Sequence, residues 1–490
     1  MTETAARGGR LRVAVDLGAG SGRAMLGRLG EDGLDLREVH RFRYEPRERE
    51  GHLRWDFDLI LEGVAQGLKA AALAARDQAG RVRSVGIDSW AVDYALFDER
   101  GVLLEQPVCY RDRRTAATMD DVFGVVSRDA IFARTGIQFL PFNTLFQLVA
   151  HAREGLPTAA ARLLMIPDAL HFRLTGVAAG ERTNASTTQL LNAATGEWDA
   201  ELFQRLRLPL ALMPAVRAAG TRLGPLLPAL QDELELRDLS VIAPATHDTA
   251  SAVAGTPLRE GWAYISSGTW SLVGVELPRP LINPAAAEAN FTNEAGAYGT
   301  TRFLKNVTGL WILESCRKEW PARPYDELLA DVARVPGPVG RIDPDHARFF
   351  NPPSMTREIG AAMAEAGHAV PSDPVLLAKV ILDSLAGRYA EVVDTIESLT
   401  GRRIEGIHVV GGGAQNAYLN QATADAVRRP VVAGPVEATA IGNLAVQAIA
   451  DGELASLAEA RARIAAGLKL QRYDPAEPSG RAPGTGTAPP

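Results

Sequence analysis

One order of elements occurs twice along the chain, and each copy opens on a glycine-rich turn between apolar runs. The first is VAVDLGAGSGRAMLGRL at residues 13–29, and the second is WAYISSGTWSLVGV at 262–275. Small residues at a turn let a backbone approach a bound group, often a phosphate. A dinucleotide fold would place a helix directly after its glycines. Here Gly27 and Gly30 interrupt any helix, and the alternating LDLREVHRFRY follows, which predicts strand, turn, strand, turn, strand. No GxxxxGK[ST] stretch occurs either, so a P-loop is not expected.

The elements that follow each hairpin also correspond. Ile60, Val64, Leu68, Ala71 and Ala75 mark a helical face, and VRSVGIDSWAVDYALFD then reads as a strand with a polar break at Asp88, Ser89 and Asp93. In the later half Asp373 and Pro374 form a helix start, and Leu377, Ile381, Leu385, Tyr389, Val392, Ile396 and Leu399 mark its face. A strand then runs into Gly411, Gly412 and Gly413. The repeat is one of pattern rather than identity, and it predicts duplicated domains facing a cleft, with one nucleotide held between two hairpins.

The 490 residues are too many for one ordinary core. With 52 Lys and Arg against 59 Asp and Glu, a net charge of −7 and no basic block, neither nucleic acid nor an anionic membrane is an expected partner. Two cysteines, Cys109 and Cys316, are too few for a disulfide framework or a thiolate metal site. MTETAARGGRLR lacks the apolar stretch of a signal peptide, and no run has the length of a bilayer span. A cytoplasmic protein is expected. Monomer and dimer both stay open. The Pro/Gly/Thr-rich residues 476–490 read as a disordered tail.

Four segments carry a resemblance. DLGAGSGR, SSGTWSL, GGGAQN and GPVEATAIGN resemble the phosphate and adenosine loops of the sugar-kinase, heat-shock-chaperone and actin superfamily. Within it, HDTASAV at 247–253 resembles the catalytic segment of the FGGY carbohydrate kinases. GIDSWAVDYALFD, YRDRRT, RTGIQFLPFNTLFQL, TNASTTQLLN, NEAGA and LKNVTGLW are similar, in order, to the branch of that family acting on L-rhamnulose. The resemblance implies an α/β protein of two duplicated ribonuclease-H-like (actin-like ATPase) domains around a central cleft, residues 1–244 and 245–475. It implies ATP with Mg²⁺ as cofactors. The implied reaction is phosphorylation of L-rhamnulose at its C1 hydroxyl in L-rhamnose catabolism, with L-fuculose or D-xylulose as the alternative substrate.

Each candidate residue also has a plainer reading. An acid between Val15 and Leu17 is costly unless paired or near a cation, so Asp16 is either an outer-shell Mg²⁺ ligand, as the resemblance implies, or a turn-capping aspartate. Ala19, Gly20, Ser21, Gly22 and Arg23 are implied contacts of the β- and γ-phosphates, or else an ordinary hairpin beside a solvated arginine. Asp248 suits a general base for a substrate hydroxyl, and equally a helix N-cap. His247, Thr249 and Asn306 are implied sugar contacts, and Thr269 and Gly412 implied nucleotide contacts. Two positions depart from the family. Ala91 stands where glycine is common and would narrow or shift the sugar pocket, and Glu314 stands where glutamine is usual near the nucleotide. Asp88 and Asp93 either order sugar hydroxyls or bond nearby loops, and Trp90 and Trp270 either stack on sugar or belong to the core.

Overall fold

A computed structural model describes residues 9–31, 33–77 and 80–477. The first eight residues and residues 478–490 of the expected tail lie outside that description. The first glycine segment is a hairpin, as its interrupting glycines require. Strands β1 (Leu11–Leu17), β2 (Ser21–Gly30) and β3 (Gly33–Arg43) form an antiparallel meander. Helix α1 (Phe57–Arg76) follows, capped by Asp56, whose side chain accepts the Leu59 N–H at 3.1 Å. Its predicted face is buried at all five positions. Strand β4 (Val82–Ser89) then runs parallel to β1. After a long insertion at residues 90–215 come β5 (Thr221–Pro225) and β6 (Ser240–Ala243), and the sheet order is β5-β6-β4-β1-β2-β3.

The second half opens on a short helix, α2 (Asp248–Ala254), and its hairpin is β7 (Trp262–Ser267) with β8 (Trp270–Leu277). Strands β9 (Thr292–Ala295) and β10 (Thr301–Thr308) continue the meander. Helix α3 (Trp311–Glu319) precedes the long α4 (Pro374–Thr400), where Asp373 accepts the Val375 N–H at 2.9 Å. Parallel strands β11 (Gly406–Val410) and β12 (Val431–Ala433) follow, then α5 (Ala438–Ala450) and the edge strand β13 (Gln471–Tyr473). The order is β9-β10-β8-β7-β11-β12-β13. Set the edge additions aside, and β3-β2-β1-β4-β6 matches β10-β8-β7-β11-β12 in order and in strand sense. Both sheets are the ribonuclease-H-like arrangement, with α1 and α4 in equivalent places.

The halves interlock through α5. Although it follows the last parallel strand of the second sheet, it packs on the first. Gln447 donates to the Val13 carbonyl at 2.9 Å and accepts the Ser84 hydroxyl at 2.6 Å; Asn443 donates to the Gly86 carbonyl at 3.1 Å. Helices α2 and α5 cross at two glycines. A Cβ on Gly442 would lie 1.8 Å from the Ser251 carbonyl oxygen, and one on Gly255 2.1 Å from that of Ala438. Here glycine is required by close approach of backbone to backbone.

Candidate active site

Both hairpin turns open onto one cavity of about 310 Å³, lined by Asp16, Ala19 and Arg23 on one side and Thr269, Gly411 and Gly412 on the other. In each turn a glycine N–H closes the bend: Gly18 donates to the Ser21 carbonyl at 2.9 Å, and Gly268 to that of Trp270 at 2.8 Å. The Tyr44 hydroxyl braces the first turn by donating to the Gly18 carbonyl at 2.6 Å.

The glycines divide by what surrounds them. At Gly20 a Cβ would meet only the Tyr44 carbonyl, at an ordinary 4.0 Å, and Gly412 has open space where a side chain would go. Gly22 does not, since a Cβ there would lie 2.4 Å from the Phe42 ring, so packing requires that glycine. Gly413 is likewise pressed on Ser267, and Gly411 adopts a positive φ of 81° against the Ser267 carbonyl. Gly20, Ser21 and Gly22 are absent from the cavity lining, unlike Ala19. Arg23 reaches the cavity with its guanidinium already engaged: Nη2 lies 2.5 Å from Asp16 Oδ2, and Nη1 donates to Glu437. Asp16 is therefore paired, as a buried carboxylate must be.

Asp248 is the first residue of α2, and the preceding His247 occupies the N-cap position. Its Oδ1 accepts the Thr249 N–H at 2.5 Å and the Thr249 hydroxyl at 3.2 Å. Among the described residues Oδ2 takes no protein hydrogen bond, and the side chain lines the cavity. Burial pushes the carboxyl above its ordinary range; a nearby Asp16 adds to this, while His247 and the Thr249 donors oppose it. The segment is held from behind by Glu181, whose Oε2 accepts the Thr246 N–H at 2.9 Å and its hydroxyl at 3.1 Å. That anchor had no signal in the sequence.

Ala91, His247, Thr249 and Asn306 also line the cavity. Ala91 adjoins Val92, a β-branched residue at φ 70°, whose carbonyl accepts from the Thr144 hydroxyl at 2.8 Å. Asn306 is tied to the insertion, where Gln138 Oε1 accepts its backbone N–H at 2.9 Å and its amide at 3.1 Å. Gln138 and Asn143, both inside the RTGIQFLPFNTLFQL segment but not singled out within it, join the lining. Glu314 stands apart: it is on α3, paired with Arg317 at 2.9 Å, and lines a separate hollow with Arg317, Trp320 and Asp373.

Asp88 and Asp93 bond their surroundings and are not in the cavity lining. Asp93 accepts from Trp55 Nε1 at 2.7 Å, Trp90 Nε1 at 3.0 Å and Gln147 Nε2 at 3.0 Å, and burial still pushes it up to about 6. Asp88 accepts from Asn443 at 2.6 Å and pairs in register with Asp16. Burial and then Asp16 raise its carboxyl well above the ordinary range, against the opposing Asn443 donor. Trp90 and Trp270 do line the cavity, each within an aromatic cluster. Cys109 and Cys316 are free and buried.

The duplicated halves thus bring both glycine turns and the Asp248 carboxylate to one cavity. The chain belongs to the FGGY family of carbohydrate kinases: residues 11–255 match its N-terminal domain and residues 263–450 its C-terminal domain. It is a sugar kinase. Relatives curated as rhamnulokinase are 42% identical over 465 residues in Bacillus subtilis (94% of this chain, 95% of that one). The Yersinia pestis (strain Pestoides F) protein of that name is 43% identical over 469 residues (94% and 95%). Among solved structures, xylulose kinase from Lactobacillus acidophilus superposes with a TM-score of 0.78 at 16% identity (95% of this chain, 94% of that chain). Plasmodium falciparum glycerol kinase with ADP gives 0.76 at 14% identity (94% of each). The two structures bear on the fold alone.

Proposed function

We propose that the chain phosphorylates L-rhamnulose at its C1 hydroxyl with ATP, giving L-rhamnulose 1-phosphate and ADP. The observation that carries this reading is Asp248 Oδ2, unbonded in a cavity that both glycine turns enter. The similarity to rhamnulokinases supplies the sugar. Asp248 takes the hydroxyl proton as the oxygen bonds to the γ-phosphorus, and the bond from that phosphorus to the β,γ-bridging oxygen breaks. Ala19, Gly20, Ser21, Gly22 and Arg23 form the phosphate side. Thr269 and Gly412 face them, and His247, Thr249, Asn306 and Ala91 form the sugar side. Glu314 is assigned to the nucleotide from its family position only.

No group of three or more His, Cys, Asp or Glu suited to a metal occurs among the described residues. A Mg²⁺ needs no such cage when it arrives on nucleotide phosphates, and Asp16 at the cavity wall fits an outer-shell contact. Mg²⁺ would neutralise phosphate charge there. Among the described residues no helix is long and apolar enough to cross a membrane. The cytoplasm is the proposed setting, and residues 1–244 and 245–475 are the proposed domains.

ADP release measured with Mg-ATP against L-rhamnulose, L-fuculose, D-xylulose and glycerol tests the reading. L-rhamnulose is expected to give the highest kcat/KM. Preference for another sugar would replace the substrate and point to Ala91, and release that no sugar stimulates would overturn the kinase assignment. The same assay carries a pH expectation. A base works deprotonated, and burial raises the Asp248 carboxyl. Activity therefore falls, as pH is lowered, at a pH above the ordinary aspartate range. A kcat/KM profile flat down to that ordinary range would contradict Asp248 as the base.

A further inference from the structure

Beside Asp248 lies a buried ionic group of which the assignments above use only His247. Arg302 on β10 is 0% exposed, Glu294 on β9 4% and His247 6%. Arg302 Nη2 lies 2.9 Å from Glu294 Oε2 and 3.0 Å from His247 Nδ1, and its Nε donates to the Ala295 carbonyl at 3.2 Å. Glu294 Oε2 is also 3.4 Å from His247 Nδ1, and on the other side of the ring His247 Nε2 is 3.4 Å from Asp248 Oδ1.

A guanidinium has donors and no acceptor. A proton on Nδ1 would therefore point at an N–H 3.0 Å away, with both groups out of water. The favourable arrangement is an Nδ1 lone pair accepting from Arg302, which leaves the single imidazole proton on Nε2, the nitrogen facing Asp248. Glu294 balances the arginine charge, so Arg302 can remain buried. We infer that Arg302 is a positioning residue for phosphoryl transfer: it holds His247 neutral, with its proton on Nε2 and turned toward Asp248 Oδ1. This rests on the reading of Asp248 as the base. An imidazolium beside that base would weaken it, and an Nε2 lone pair would repel its carboxylate.

The charged groups around His247 are Arg302, Glu294 and Asp248, with Glu181 behind Thr183 and Thr246. Removing the guanidinium leaves Glu294 facing Nδ1 without its partner, which draws the ring's single proton from Nε2 to that nitrogen and turns the Nε2 lone pair toward Asp248. The full-length chain carrying ¹⁵N-labelled histidine, with the His247 signals identified by their loss in His247→Gln, allows the ring to be read by long-range ¹H–¹⁵N correlation without any substrate. Wild type is expected to show an unprotonated Nδ1 and a protonated Nε2 at neutral pH. Arg302→Met is expected to protonate Nδ1, and Arg302→Lys, still donor-only, to keep the wild-type pattern.

In the kinase assay Arg302→Met lowers kcat by roughly 10- to 100-fold, the scale of a misplaced catalytic group. It leaves KM for ATP near wild type and moves the acid limb of the pH profile upward, and Arg302→Lys restores part of both changes. A role confined to folding would lower activity equally at every pH. Wild-type His247 protonated on Nδ1, or a pattern unchanged in Arg302→Met, overturns the inference. Should Arg302→Met fail to fold, Glu294→Gln takes its place: loss of the carboxylate must leave Nδ1 unprotonated, and protonation there overturns the inference equally. The ring is read without sugar, so a chain that phosphorylates none of the sugars defeats the proposed function and leaves the tautomer result standing.

Discussion

Asp248→Asn is expected to lower kcat by about 10³-fold, within the 10²–10⁴ range for loss of a general base. The amide keeps the shape of the carboxylate, and its oxygen still accepts the Thr249 N–H that Oδ1 takes at 2.5 Å. What it loses is the capacity to receive a proton. The loss should fall on kcat and kcat/KM alike, because the interaction is made as the hydroxyl bond breaks, and KM for ATP should stay near wild type. Thermal stability should hold or rise, since a partly buried charge has been removed. Steady-state kinetics and a melting curve on one preparation check both parts. Turnover within 10-fold of wild type would remove Asp248 from the role of base.

Gly442→Ala should be the most damaging single methyl in the chain. Helix propensity alone favours alanine over glycine by about 1 kcal/mol. Against that, the added carbon falls 1.8 Å from the Ser251 carbonyl oxygen and 2.6 Å from the Gly255 nitrogen. Both are backbone atoms and cannot rotate away, so α2 and α5 must separate. Overpacking costs about 1–3 kcal/mol or more, and the upper end is expected here. The crossing also sets the place of Asp248 at the start of α2, and a shift of about 1 Å can cost 100-fold in rate. A lowered melting midpoint together with a fallen kcat is the expected pair. A variant as stable and active as wild type would show that the crossing yields easily.

Local signals in the sequence carried much of this architecture. The interrupting glycines distinguished a hairpin from a strand–helix turn, and Asp373 and Pro374 began the helix at the residue where α4 starts. The repeated order of elements survives in two sheets of equal topology. Partners distant in sequence were less legible. The packing demand on Gly22 shows only once Phe42 is seen against it, and the pairing of Arg23 only once Glu437, 414 residues away, is found beside it. From sequence, Asp248 reads equally as an N-cap because acids favour that position; the cap falls one residue earlier, on His247. Arg302 and Glu294 occupy strands in which a buried charge breaks the usual alternation. Only the three-dimensional neighbourhood shows what compensates them.

The placement of α5 has a consequence for how the chain is made on the ribosome. Strands β1, β2 and β4 leave the tunnel early, yet the helix covering one side of them lies about 360 residues downstream of β4. At ~5–20 residues per second the wait is roughly 20–70 s. Throughout it Ala14 and Met25 lack Leu444, and the Val13 and Gly86 carbonyls lack the amides that later satisfy them. The first half of the nascent polypeptide therefore cannot finish as an independent unit. It is completed by its own late-arriving end, so a ribosome stalled before residue 438 leaves an unsealed, sticky half-protein for chaperones to hold.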